Sequence, residues 1–184
     1  MTPQQMVAVI GGRRVNIRDS RTLEFAEAVG RELALLGYGV ATGGDDGVGG
    51  AACKGAVEAG GVTLAFLKEA HIDNCSPYVT WALPTSLDLS RSVPLNWAGC
   101  AIVAFDGGFG TLFEIALALD TSRPLVLTGD QPLLRTEKLQ LPTCERVMGN
   151  DPASTPEVIA ALRKLIGPPP VPSAPTGNDH HRVR

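Results

Sequence analysis

The segment 101-AIVAFDGGFGTLFEIALAL-119 passes from a continuous apolar run, through three closely spaced glycines, into a second apolar run broken by one acid, Glu114. Uninterrupted apolarity over 100–105 is the pattern of a strand covered on both faces, since a half-exposed strand would alternate. The glycines permit a sharp turn, and 111–121 then reads as a helix. The same unit repeats on either side. Residues 6–11 (MVAVIG) form a strand pattern, and 19–36 carries apolar positions at Leu23, Ala26, Val29, Leu33 and Leu36. Asp19 or Ser20 can cap that helix, and Gly37 supplies its stop. Then follow a strand over 38–42, a glycine loop over 43–50, a helix over 51–59 and a strand over 62–67. Beyond a polar connection come a helix over 87–98, the opening strand and helix, a strand over 124–127, and a last helix over 156–166 with proline in its first turn. Strands alternating with helices predict an α/β chain: a Rossmann-like, doubly wound parallel sheet with helices on both faces.

Residues 1–166 are expected to form one such domain. The stretch from 167 to 184 is proline-rich with few apolar residues, and is expected to be a flexible tail. The 184 residues are 44% hydrophobic but only 5% aromatic, enough for one aliphatic core. A net charge of -3 argues against a nucleic acid or an anionic membrane as partner and favours a small molecule. Cys53, Cys75, Cys100 and Cys144 form no C-x-x-C pair, and His71, His180 and His181 lack metal-ligand spacing to them, so no metal is expected. Reduced cysteines, no leader pattern and no apolar run near the roughly 18 residues of a membrane span together predict a cytoplasmic protein.

Open parallel sheets bind ligands beyond the carboxyl ends of their strands, where this chain gathers glycines: Gly11-Gly12, the loop from Gly43-Gly44-Asp45 to Gly50, and Gly107-Gly108-Phe109-Gly110-Thr111. Such loops turn backbone N–H groups toward a ligand, although any one pair could simply make a tight turn. The Walker A pattern is absent, and Gly47-x-Gly49-x-x-Ala52 lies after the second strand rather than the first, which leaves a dinucleotide site as a weak alternative. Glu114 has two readings. Thr111-x-x-Glu114 matches a capping box. Against that, its apolar surroundings imply a buried carboxylate, whose pKa would rise and which would need a cation nearby. Arg91 is the candidate cation, and its ordinary alternative is a surface arginine.

The string DGGFGTLFE (106–114) resembles the PGGxGTxxE motif of the LONELY GUY (LOG) family, phosphoribohydrolases that include proteins once misnamed lysine decarboxylases. Arg91 stands fifteen positions before Asp106, the spacing of that family's arginine, and residues 6–128 as a whole are similar. The resemblance implies that Gly107, Gly108, Gly110 and Thr111 hold a 5′-phosphate and that Gly12, Gly43, Gly44 and Asp45 complete the substrate site. Arg91 and Glu114 would act catalytically at the ribose. The implied reaction hydrolyses the N-glycosidic bond of a nucleoside 5′-monophosphate without a cofactor, the carboxylate stabilising an oxocarbenium-like state or activating water. A homodimer or larger homo-oligomer is implied as well. The chain departs from the motif at Asp106, Phe113 and Ser92, where the family usually has a proline, a second acid and a basic residue. The alternative function is a non-catalytic carrier or sensor of a nucleotide or a molybdenum-cofactor-type ligand.

Overall fold

The computed structural model describes residues 4–17, 19–129 and 141–169. Its elements are β1 (Met6–Ile10), α1 (Arg21–Leu35), β2 (Gly39–Thr42), α2 (Val48–Glu58), β3 (Thr63–Leu67) and β4 (Trp81–Pro84). A 3-10 turn (Asp88–Arg91) leads into α3 (Ser92–Ala98), followed by β5 (Gly99–Ala104), α4 (Phe109–Asp120), β6 (Leu125–Thr128), β7 (Cys144–Val147) and α5 (Thr155–Ile166). The seven strands lie in the order β4-β3-β2-β1-β5-β6-β7, and all six pairings are parallel. The chain therefore builds outward from β1 in one direction as far as β4, then returns to build outward through β5 in the other. The loops leaving β1 and β5 consequently diverge to opposite faces and open a crevice between them.

The apolar strands are continuous because each faces two cores. Val7, Val9, Val103 and Phe105 point into one, with Phe25, Val29 and Leu33 of α1 and Val158 and Leu162 of α5. Ala8, Ile10, Ile102 and Ala104 point into the other, with Leu95 of α3 and Ile115 and Ala118 of α4. Phe105 packs edge-on against Phe25 at 5.1 Å between ring centres, fixing the exit of β5 over α1. The α1–α2 contact depends on two glycines. A Cβ on Gly30 would lie 2.0 Å from the Ala52 carbonyl oxygen, and one on Gly55 would lie 1.9 Å from that of Glu27. Only without those carbons do the two backbones pack this closely.

Gly37 ends α1 as expected, at φ 85°. Its N–H bonds to Ala34 O and that of Tyr38 to Leu33 O, the paired bonds of a Schellman motif. At the other end Asp19 Oδ1 accepts from the Arg21 N–H at 3.0 Å, while Ser20 makes no side-chain cap. Two strands had no clear sequence pattern. β4 is an edge strand containing Pro84 and mostly exposed side chains, and β7 opposes it at the far edge. The helix expected over 87–98 is shorter than its apolar pattern, because Asp88–Arg91 winds as a 3-10 turn. The expected tail, from residue 170 onward, lies outside the described residues. Among the described residues no helix is long and apolar enough to cross a membrane.

Candidate functional site

The crevice holds a recess of about 250 Å³ continuous with a smaller hollow of about 40 Å³; the two share Gly11, Gly12, Arg13, Asp45, Arg91 and Glu114 as walls. The larger part falls just below the roughly 300–1,000 Å³ of small-molecule sites. Its walls come from the exits of β1, β2 and β3, the turn before α3, and the start of α4. The Gly12 N–H donates to the Asp106 carbonyl at 2.8 Å and ties the first and last of these loops together.

The α4 entry forms one wall. Gly108 is its N-cap residue without a side-chain cap, so the N–H groups of Phe109, Gly110 and Thr111 have no acceptor within the helix and lie at the positive end of its dipole. That is an anion-binding arrangement. Gly108, Gly110 and Thr111 line the recess, whereas Gly107 does not. A Cβ there would stand 2.2 Å from Thr111 Oγ1 and 2.8 Å from the Gly12 nitrogen, so its hydrogen is what allows the two loops to meet. Gly12, Gly43 and Asp45 also line the site. Gly44 does not. At φ 78° it makes the turn out of β2, and its α-carbon faces Leu67 and Ala65. Asp106 is half-buried and is not among the lining residues.

Glu114 is 7% exposed. The capping box does not form, because α4 begins at Phe109 rather than near Thr111 and Glu114 falls in its second turn. Instead Glu114 Oε1 accepts from Ser92 Oγ at 3.0 Å, and Asn96 Nδ2 donates to the Glu114 carbonyl at 2.9 Å. Two residues of α3 thus clamp this turn of α4. Burial pushes the Glu114 carboxyl up to about 7; the Arg91 charge and the Ser92 hydrogen bond oppose that rise, and the Asp45 charge adds to it. Near neutral pH this is a group that holds or releases a proton.

Arg91 is the cation near Glu114, but its hydrogen bonds go to other groups. Arg91 Nη1 donates to the carbonyls of Gly43 and Phe66, the latter at 2.6 Å, and Nη2 meets Asp45 Oδ2 at 3.1 Å. The guanidinium is inside the recess and felt by Glu114 through space, but its hydrogen-bonding partner is Asp45. The 3-10 turn is the physical reason: it places Arg91 against the ends of β2 and β3 and leaves Ser92, the next residue, facing Glu114.

Sequence reasoning did not single out Arg13, Asn16, Lys68 or Asp88, which also line the recess. Lys68 directly follows Leu67, the last residue of β3, and Arg13 directly follows the Gly11-Gly12 pair beyond β1, so the strand-exit rule applied one position further would have found both. Asn16, in the short 3-10 turn Arg14–Asn16, and Asp88 sit in turns that carry no periodic signal.

Several known proteins are similar to this chain in sequence and shape. An uncharacterized protein of Archaeoglobus fulgidus is 31% identical over 118 residues, 60% of this chain and 78% of that one. The molybdenum cofactor binding protein of the phototrophic bacterium Rippkaea orientalis superposes with a TM-score of 0.77 at 28% identity, covering 88% of this chain and 99% of that one. The Moco carrier protein of Chlamydomonas reinhardtii superposes with a TM-score of 0.75 at 31% identity, covering 89% and 98%. A family profile matches residues 4–155, most of the described domain, and the chain belongs to the SLOG cluster4 family.

Proposed function

We propose that the protein binds a phosphorylated small molecule of the molybdenum-cofactor type and carries it without cleaving it. The observation that supports this reading most strongly is the separation of the two residues expected to act as a catalytic pair. Arg91 is occupied by Asp45 and two backbone carbonyls, and Glu114 by Ser92. Burial raises the Glu114 carboxyl to about 7, so near neutral pH it is divided between its neutral and ionised forms, and its charge state alone does not separate a carrier from a hydrolase. The similarity to two molybdenum-cofactor-binding proteins over nearly their whole length points the same way. In this reading the ligand phosphate lies on the free N–H groups of α4, between Arg13 and Lys68.

A second reading, hydrolysis of a nucleoside 5′-monophosphate, is favoured by the proton-active Glu114 inside the recess. The two are separated by incubating the purified protein with AMP and GMP while following heat of binding and release of free base. Carrier function predicts binding without base. Turnover that disappears in both Glu114→Gln and Arg91→Ala would favour the hydrolase.

The same chain is proposed to self-associate. Val93, Trp97, Phe109 and Phe113 expose apolar surface on the α3–α4 side, Phe109 at 81%. Single exposed apolar residues need no partner, but several on one face beside the recess suit a second copy.

A further inference from the structure

We propose that Asp88 reads the ring of the ligand, and that the ring carries a ring N–H beside an exocyclic amino group, the edge shared by pterins and guanine. This rests on the reading that the recess holds a phosphorylated heterocycle. The acids that line the recess are Asp45, Asp46, Asp88 and Glu114. Asp45 is held by Arg91 at 3.1 Å, Asp46 faces Arg14 at 4.0 Å, and Glu114 accepts from Ser92. Among the described residues Asp88, which is exposed to solvent, has no such partner. A carboxylate accepts from two adjacent N–H groups in parallel, as it does from arginine, and a 2-amino-4-oxopyrimidine edge offers that pair. Adenine offers an acceptor at the corresponding ring nitrogen and is not matched.

The backbone supports a positioning role for this acid. Ser86 and Asp88 both have positive φ, 55° and 46°, in a region that side chains other than glycine, asparagine and aspartate rarely adopt. The segment is held there by its neighbour. Thr85, Ser86 and Asp88 donate their N–H groups to the carbonyls of Leu67, Glu69 and Lys68, and Thr85 Oγ1 donates to Leu67 O at 2.6 Å. This stitching fixes the backbone of Asp88 beside that of Lys68 at the exit of β3, with the Lys68 ammonium 3.6 Å from Glu69 Oε1.

The test measures dissociation constants by calorimetry for GMP against IMP, which differ only in the amino group, and for 6-hydroxymethylpterin phosphate against its 2-oxo analogue. Wild type is expected to bind at least one amino compound roughly tenfold more tightly than its partner. Asp88→Asn, which keeps the tolerance for positive φ, is expected to bring that ratio to about one while binding of IMP changes less than about twofold. The pair that shows the preference tells nucleotide from pterin. A wild-type ratio near one in both pairs, or an unchanged preference in Asp88→Asn with a native melting curve, overturns the proposal and leaves the phosphate site standing. Failure of all four compounds to bind overturns both.

Discussion

Glu114 shows how one side chain takes its character from its neighbours. Its carboxyl titrates near 7 because burial outweighs the Arg91 charge and the Ser92 hydrogen bond. The folded pKa is above the ordinary value of 4.5, so no penalty exists below about pH 4.5, where the group is protonated folded or unfolded. Stability then falls as pH rises through about 7, and the full cost of burying the ionised form is present above it. Replacing Glu114 with Gln, which keeps an acceptor for Ser92, should leave the melting temperature nearly unchanged at pH 4.5. At pH 8 it should raise stability by up to about 3 kcal/mol. Thermal unfolding of both proteins across that range checks the sign. Gly110 offers a second single-residue test. A Cβ there meets nothing nearer than Leu89 at 4.0 Å, so Gly110→Asp should fold normally. Its carboxylate would stand beside the N–H groups at the start of α4 and should weaken phosphate binding by tenfold or more, read by calorimetry.

At the scale of elements, the close α1–α2 contact is the most exacting join. Gly55→Ala places a carbon where the Glu27 carbonyl already sits, and should cost about 1–3 kcal/mol or more, measured by urea unfolding. The comparable change at Gly107 should both destabilise the protein and disturb the recess, because Thr111 and Gly12 must move apart. Elements with two buried faces were the ones legible in the sequence. β1, β2, β3, β5 and β6 are continuous apolar runs, and Gly37 and Pro156 marked true helix boundaries. The edge strands were not legible, since one-sided burial leaves short mixed runs such as WALP and CERV. The turn at Asp88–Arg91 escaped for a related reason: its apolar residues Leu87 and Leu89 are half exposed, so their spacing imitated a helix face that is not buried. That error carried into the site. A continuous helix over 87–98 would aim Arg91 and Ser92 differently, and the observed turn gives Arg91 to Asp45 and Ser92 to Glu114.

Across the whole molecule, the reversal of strand order between β1 and β5 decides where the recess lies, and the glycine-rich exits of the strands decide what can enter it. Part of the recess lining was readable from strand order and loop composition, whereas Arg13, Asn16, Lys68 and Asp88 were not, and which residues bond to one another depended on the geometry of one short turn. The exposed apolar side chains along α3 and α4 predict an assembly larger than the monomer by analytical ultracentrifugation, and Phe113→Asp with Trp97→Lys should shift it toward monomer without unfolding it. The carrier account itself is tested most directly by its cargo. The protein, purified from a host that makes molybdenum cofactor, is denatured and oxidised, and the fluorescent pterin released is counted per chain. The account predicts close to one pterin per wild-type chain and a small fraction of that for Gly110→Asp. No pterin on wild type, together with release of free base and ribose 5-phosphate from AMP, would contradict it.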